Sequence, residues 1–184
     1  RELKKKNFFP LIILNYLNKI GSSISIEEIN EVPKLIENFN LKLFSKNSVL
    51  FNEDDLIRLN AKHLKSLSFR DLKNNFNVNY DQNFWNVVKG NINQLSDVDE
   101  WYEIFKSNHN LKVKVDEKLL EQITLNLPSK IDINSWSKWT QSILSKTNLK
   151  PKELYLKIRQ ILTGRKYGPS MNELLALFNR EEIL

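Results

Sequence analysis

The chain has 184 residues, of which 41% are hydrophobic and 27% charged, proportions that are ordinary for a soluble globular protein. It contains no cysteine, which excludes disulfides and cysteine-ligated zinc and suits a reducing cytoplasm. No apolar run approaches the roughly 20 residues that a transmembrane helix needs, so we expect a cytoplasmic protein with no membrane partner.

Along most of the chain, apolar residues recur with the spacing of amphipathic helices. This spacing predicts helices over residues 10–20, 33–39, 53–67, 81–89, 94–107, 116–127 and 134–146, then one that ends at Gly164 and one whose apolar repeat covers 171–178. Asp116 and Asn134 are expected N-caps, and Pro33 and Pro151 suit a first helical turn. The alternating run 111–115 is short and is expected to be a connector, so the predicted fold class is all-α.

Domain boundaries are weakly marked because no linker rich in glycine or serine is present. Polar residues 73–79 interrupt the helical periodicity and form the best candidate junction, and residues 127–130 form a second. The chain begins with Arg1 and its single methionine is Met171, so we expect it to be a fragment of a longer protein.

The positive charge of the chain is concentrated near its C-terminal end. The formal net charge is +6, and the window 146–166 alone carries seven cations against one anion, Glu153. The cations are Lys146, Lys150, Lys152, Lys157, Arg159, Arg165 and Lys166. Such a surface suits a polyanionic partner through counterion release, with Arg165 and Lys166 as expected phosphate contacts. The alternative is a solvated, lysine-rich helix face.

The turn between the last two predicted helices is the most informative feature, and residues 158–178 read IRQILTGRKYGPSMNELLALF. A helix is predicted to end at Gly164, followed by a short basic loop and a second amphipathic helix. Cations, one aromatic side chain and backbone groups crowd this turn, an arrangement suited to binding an RNA loop. In the structural alternative, Thr163 and Gly164 only cap a helix, Pro169 only starts one, and Met171 only fills the core.

No catalytic or metal site is predicted. His63 and His109 each lack a second ligand three or four residues away, and the acidic pairs lie near predicted helix starts or in an exposed tail. No phosphate-binding or dinucleotide-binding glycine motif occurs.

Several passages resemble those of one enzyme family. FPLIILNYL at 9–17 resembles LPEALLNYL, FNLKLFSKNSVLFN at 39–52 resembles FDLERVSKSPAVFD, DLIRLN at 55–60 resembles KLxWLN, and LKPKEL at 149–154 resembles VKPGKL. Trp101 matches the last residue of L-x-E-L-x-x-W, and 158–178 resembles LR-x-x-LTG-…-P-x-x-x-E-x-L-x-L-LG. These passages are similar, in the same order, to those of bacterial glutamyl-tRNA synthetases, which are class I aminoacyl-tRNA synthetases.

The resemblance implies a helical bundle, the superhelical α-helix cage of class I anticodon-binding domains, at 69–184, with a subdomain break near 128–131. A helical stem-contact segment would precede it at 1–68. The HIGH-like and KMSKS-like catalytic motifs are absent, so the chain is expected to be a tRNA-binding portion with no catalytic residue and no cofactor of its own. It is also expected to be a monomer. ATP and Mg²⁺ would serve the parent enzyme, which attaches glutamate to glutamate tRNA.

The resemblance also implies individual RNA-binding residues. Arg159 matches the arginine of LR-x-x-LTG and is expected to contact a base or phosphate through its planar fork of donors. Gly168, Pro169 and Met171 match the loop and helix start that pack against anticodon bases. Some family members have threonine at the position of Gly168. Because glycine has no side chain, this chain would contact the RNA there through backbone groups alone.

The run VKGNINQL at 88–95 resembles a family turn that reaches the third anticodon base, which makes Lys89 and Asn91 candidate RNA contacts. Members selective for glutamate tRNA often have arginine at the position of Asn91, and relaxed members often have glutamine. Because asparagine is short and neutral, we hypothesise that this chain discriminates poorly between glutamate and glutamine tRNAs.

Two rival interpretations stay open at this point. An all-helical module could bind a protein through an apolar groove, or the chain could be the helical domain of another class I synthetase with a different tRNA. Binding that weakens steeply with salt would favour RNA, and binding insensitive to salt would favour a protein.

Overall fold

The structure is a computed structural model that describes residues 3, 6–25, 29, 31–106 and 116–183. In this part of the chain the regular secondary structure is helical, apart from an isolated antiparallel bridge between Ser22 and Phe44. This confirms the predicted all-α class. The α-helices are α1 (Pro10–Lys19), α2 (Val32–Glu37), α3 (Glu53–Ser66), α4 (Phe69–Asn75), α5 (Gln82–Val88), α6 (Leu95–Lys106), α7 (Glu117–Leu125), α8 (Ser135–Leu144), α9 (Pro151–Thr163), α10 (Met171–Leu175) and α11 (Arg180–Ile183). Short 3₁₀ turns lie at Leu41–Leu43 and Lys89–Asn91.

Three of the four predicted helix-start signals are confirmed. Asp116 accepts a hydrogen bond at the start of α7, and Pro33 and Pro151 lie in the first turns of α2 and α9. The prediction for Asn134 is wrong, because it has a helical backbone conformation and its side chain makes no cap bond. Asp132 binds this end of α8 instead, since its Oδ1 accepts from the Asn134 N–H at 2.8 Å.

Helix α4 is absent from the sequence prediction because polar residues 73–79 conceal its second half. Ser68 caps it by accepting a hydrogen bond from the Asp71 N–H at 3.1 Å, and Leu72 is its one buried residue. A single apolar anchor is too little periodicity to reveal a two-turn helix.

At the C-terminal end, α10 stops at Leu175, although the apolar repeat continues to a buried Phe178. His109 and the predicted connector 111–115 lie outside the described residues. None of the described helices is both long and apolar enough to span a bilayer.

The chain forms two compact units. The first comprises Arg1–Asn79 with Ile92–Asp99, and the second comprises Tyr80–Asn91 with Glu100–Leu184. The first change of unit falls at the end of the polar run 73–79. The boundary after residue 68 and the break near 128–131 stay predictions.

In the first unit, α1 packs against α2 and α3. Its deeply buried apolar side chains include Ile12, Tyr16, Leu56, Leu64 and Leu72. Asn60 on α3 is also fully buried, where it accepts a hydrogen bond from the Phe9 N–H at 3.3 Å and donates one to the Asn93 carbonyl at 2.8 Å. This amide therefore ties the start of α1 and the segment before α6 to α3.

In the second unit, α8 packs against α9 and α10. Fully buried side chains of this unit include Trp85, Trp139, Ile143, Leu154 and Ile158. The Trp139 indole N–H donates to the Ile123 carbonyl at 3.0 Å, which fastens α7 to α8. This packing holds α9, and with it the basic turn that follows α9.

Candidate nucleic-acid interface

The basic turn begins at a helix end that its own residues define. Gly164 has the left-handed φ of 67° that commonly ends helices, and its N–H donates to the Gln160 carbonyl at 2.8 Å. Thr163 Oγ1 donates to the Arg159 carbonyl at 2.7 Å and accepts from the Arg165 N–H at 3.2 Å. The predicted C-cap is therefore confirmed, and the chain leaves α9 in a fixed direction.

The far end of the turn lies against a tryptophan from another helix. Gly168 has a φ of +146°, and a β-carbon built on it would stand 2.3 Å from Cη2 of Trp101. Real β-carbons essentially never come this close to another heavy atom, so only glycine fits here without movement of the indole. The absent side chain lets the loop backbone lie directly on α6.

Arg165 is held by the same part of α6. Its guanidinium carbon lies 4.8 Å from the centroid of the Trp101 ring, and Nη2 donates to Glu100 Oε2 at 2.6 Å. The Arg165 side chain is 29% exposed and the Glu100 side chain is 61% exposed. Arg165 therefore fastens the turn to α6 through a cation–π contact and an ion pair.

Arg159 supports the turn from within α9. Its Nη2 donates to the Pro169 carbonyl at 3.0 Å, while Nη1 is buried and has no hydrogen-bond partner among the described residues. A β-carbon at Gly168 would lie 3.4 Å from that Nη1, so the guanidinium is next to the loop backbone. Burial lowers the pKa of Arg159 by desolvation, but guanidinium remains charged in proteins.

The structure thus brings four of the predicted residues together with one another and with α6: Arg159, Arg165, Gly168 and Pro169. Lys166 is exposed in the same loop, and its neighbour Tyr167 is 78% exposed. Met171 is only 6% exposed at the start of α10, and Pro169 is buried. The exposed side chains of this turn therefore include a cation and an aromatic ring.

Lys89 and Asn91 lie on a separate element of the second unit, the 3₁₀ turn that follows α5. Asn91 is exposed and Lys89 is half-buried. Within the described residues, neither side chain makes a hydrogen bond or ion pair that would join it to the basic turn. Both are therefore available to a ligand.

The remaining cations of the basic window differ in what they contact. Lys157 pairs with Glu153 at 3.1 Å, and Lys146 donates to Asn126 Oδ1 at 2.7 Å. Lys150 and Lys152 are exposed at the start of α9. Together with Lys166, these exposed lysines present positive charge to solvent, as binding of a polyanion requires.

Sequence reasoning did not identify Glu100 and Trp101 as part of this site. Trp101 belongs to one of the family-like passages, but no spacing rule connects it to a loop so far along the chain. The available signals were Trp101 in one of the family-like passages and a glycine in the basic loop, since glycine often marks a close approach of the backbone to another group.

Among the described residues, no group of acidic or histidine side chains is arranged to hold a metal ion. In this part of the chain, the polar groups at the basic turn are cations, hydroxyls, backbone groups and the Glu100 carboxylate, which is paired with Arg165. Such groups bind phosphates and base edges, and the chemistry of the turn is that of recognition.

Comparisons with known proteins agree with this chemistry. Residues 56–184 match the family described as "Anticodon binding domain". Glutamate–tRNA ligase 1 of Rickettsia prowazekii is 37% identical over 186 residues, which cover 98% of this chain and 42% of that protein. Glutamate–tRNA ligase 1 of Rickettsia felis is 39% identical over 180 residues, which cover 95% of this chain and 40% of that protein.

The fold has counterparts among solved structures. The glutamate tRNA ligase of Elizabethkingia meningosepticum superimposes with a TM-score of 0.72 at 16% identity, over 98% of this chain and 40% of that one. The chain thus spans about two-fifths of the length of the relatives that it matches. On the family match and the all-helical fold, this chain belongs to the anticodon-binding domain family.

Proposed function

We propose that this chain is the tRNA-binding portion of a glutamate–tRNA ligase and that it binds the distal stem and anticodon loop of glutamate tRNA. The observation that carries the proposal is the basic turn after α9, held on α6 by Trp101, inside a region that belongs to the anticodon-binding family. Aminoacylation with ATP and Mg²⁺ would be performed by the rest of the ligase.

Different residues of the site would supply affinity for the RNA and preference for particular bases. Exposed lysines, among them Lys166, attract the phosphates of the anticodon stem and loop without reading sequence. Arg159 and the loop from Arg165 to Met171 offer donors and a shaped surface to unstacked bases, which is how proteins read single-stranded RNA loops. Gly168 contributes backbone groups because Trp101 occupies the space that a side chain would need.

Asn91 and Lys89 would extend the contact to the third anticodon base. The Asn91 side chain is exposed and neutral, so it can hydrogen-bond a base edge but adds no positive charge. This supports our proposal that the chain accepts glutamine tRNA as well as glutamate tRNA.

We propose that the stem-contact segment occupies residues 1–68 and that the anticodon-binding domain occupies residues 69–184. We propose a monomer that works in the cytoplasm, because a tRNA ligase meets its substrates there. No cofactor is assigned to this chain.

The decisive experiment is binding of this chain to glutamate, glutamine and unrelated tRNAs over a series of salt concentrations. We expect salt-sensitive binding that prefers the first two tRNAs, with a log–log slope that reports the number of phosphate contacts. Absence of preference among tRNAs would contradict an anticodon-reading function and would leave only a basic helical surface.

The Arg159→Gln variant tests whether this residue of the basic turn contributes more to tRNA affinity than its positive charge alone would. It removes a guanidinium that holds the Pro169 carbonyl and that we propose to donate to the RNA. A hydrogen bond from a charged donor to the RNA would contribute about 1.5–3 kcal/mol, so we expect affinity for glutamate tRNA to fall at least tenfold. The matched control is Arg180→Gln, which removes the same charge from α11. Equal losses in both variants would contradict a specific role of Arg159.

A further inference from the structure

Tyr167 is the most exposed aromatic side chain that the structure describes, with 78% of its surface accessible. Other exposed aromatic residues, such as Phe39 and Phe51, are less than half exposed, and each packs against another ring. A tyrosine ring has no packing role when it is exposed to this degree, so its own unit gives no reason for it to be aromatic.

The backbone on both sides of Tyr167 is anchored. On one side, Arg165 is held by Glu100 and by the face of Trp101. On the other, Gly168 lies on the same indole and the Pro169 carbonyl accepts from Arg159. The exposed ring is therefore presented from a loop with fixed ends, so little conformational entropy is lost when a ligand meets it.

The surroundings of Tyr167 suit RNA. The adjacent Lys166 is exposed and can neutralise a phosphate, while the phenol ring offers a flat apolar face with a polar tip. Unpaired bases stack on such faces whatever their identity, because every base has a π-face.

We propose that Tyr167 is a stacking platform for one unpaired base of the bound RNA, with Lys166 on the neighbouring phosphate. This inference rests on the proposed tRNA-binding function and assigns a further contact within it. Trp101 and Glu100 act as positioning residues that hold the platform and do not touch the RNA.

The test compares Tyr167→Ala, Tyr167→Leu and Tyr167→Phe in the full chain, with glutamate tRNA and with an RNA duplex that lacks unpaired bases. Stacking is lost when the ring is removed, so we expect both Ala and Leu to weaken tRNA binding roughly 5- to 150-fold and Phe to stay within about twofold. Duplex binding should be unchanged in all three. Because tyrosine is neutral, the salt slope should also be unchanged, whereas Lys166→Ala should lower it by about 1.

The outcomes separate this proposal from the broader one. Leu50→Ala is the matched control, since it truncates an 88% exposed apolar side chain of the first unit. If the chain binds glutamate tRNA but the Ala and Leu variants of Tyr167 bind equally well, the stacking role is refuted and the proposed function stands. If Leu behaves as Phe does, an aromatic ring is not needed and stacking is again refuted. If the unmodified chain prefers no tRNA, both proposals fail.

Discussion

The backbone of Gly168 lies on the indole ring of Trp101, so that a β-carbon at residue 168 would stand 2.3 Å from Cη2 and 2.5 Å from Cζ2. Trp101 is itself buried on α6 and cannot move aside without disturbing the second unit. The same ring also carries the guanidinium of Arg165. One tryptophan therefore contacts the basic turn at two points, Arg165 and Gly168.

Gly168→Ala should damage both stability and binding. The β-carbon would collide with Trp101, and the φ of +146° is strained for any residue with a side chain, so we expect the free energy of unfolding to fall by about 2–4 kcal/mol. Chemical denaturation measures this change. Gly90→Ala is the control, because a β-carbon there meets nothing within 4 Å, and a similar loss in both variants would contradict the packing argument.

Arg165 and Lys166 are adjacent cations with different surroundings. Lys166 is exposed, so Lys166→Ala should lower the slope of log affinity against log salt by about 1. Arg165 is engaged by Glu100 and Trp101, so Arg165→Ala should change this slope less and should lower the free energy of unfolding by about 1 kcal/mol. Equal changes in slope would show instead that both residues contact phosphates.

Asn91→Arg should sharpen the choice of tRNA. Arginine is longer than asparagine and adds a positive charge and a planar fork of donors, so we expect affinity for glutamate tRNA to rise relative to glutamine tRNA. Competition binding with the two tRNAs measures the ratio. Asn83→Arg is the control, because it adds the same charge on α5 and should raise both affinities alike. An unchanged ratio in Asn91→Arg would refute the hypothesis of relaxed selectivity.

Asn60→Ala should destabilise the first unit. The change leaves the buried Phe9 N–H and the partly buried Asn93 carbonyl without their partner, and we expect a loss of about 1–3 kcal/mol in the free energy of unfolding. Thermal or chemical denaturation would report it. Asn74→Ala on the exposed face of α4 is the comparison, and it should change stability by less than about 0.5 kcal/mol.

We expect the stability of the chain to depend on pH through the carboxyl group of Asp132. Hydrogen bonds, first from the Asn134 N–H and then from Ser135, lower the pKa of its carboxyl below the ordinary value. A carboxylate with a lowered folded-state pKa contributes stability above its unfolded pKa, and that contribution is lost as pH falls through the folded value. Asp132→Asn should therefore reduce stability at neutral pH and lose less stability on acidification. A parallel pH profile in the variant would contradict this role.

The sequence alone was enough to predict most of the helices and the family. Amphipathic spacing, the capping aspartate at residue 116 and the glycine after Thr163 are local signals, because a helix is held by bonds within a few residues. The errors were local as well: Asn134 directly precedes α8 but its side chain makes no cap bond, and α4 has only Leu72 to mark its buried face. Composition also indicated a basic window, in which Arg165 and Lys166 had the same expected role of phosphate contact.

Only the tertiary structure distinguished those cations and completed the site. Arg165 is engaged and Lys166 is exposed because α6 brings Glu100 and Trp101 to the turn after α9, a contact between distant parts of the chain. Spacing along a sequence specifies which residues share a helix face, but it does not specify which helix packs against which loop. That choice is made by burial of the core of the second unit, and it leaves Tyr167 exposed on a loop with anchored ends.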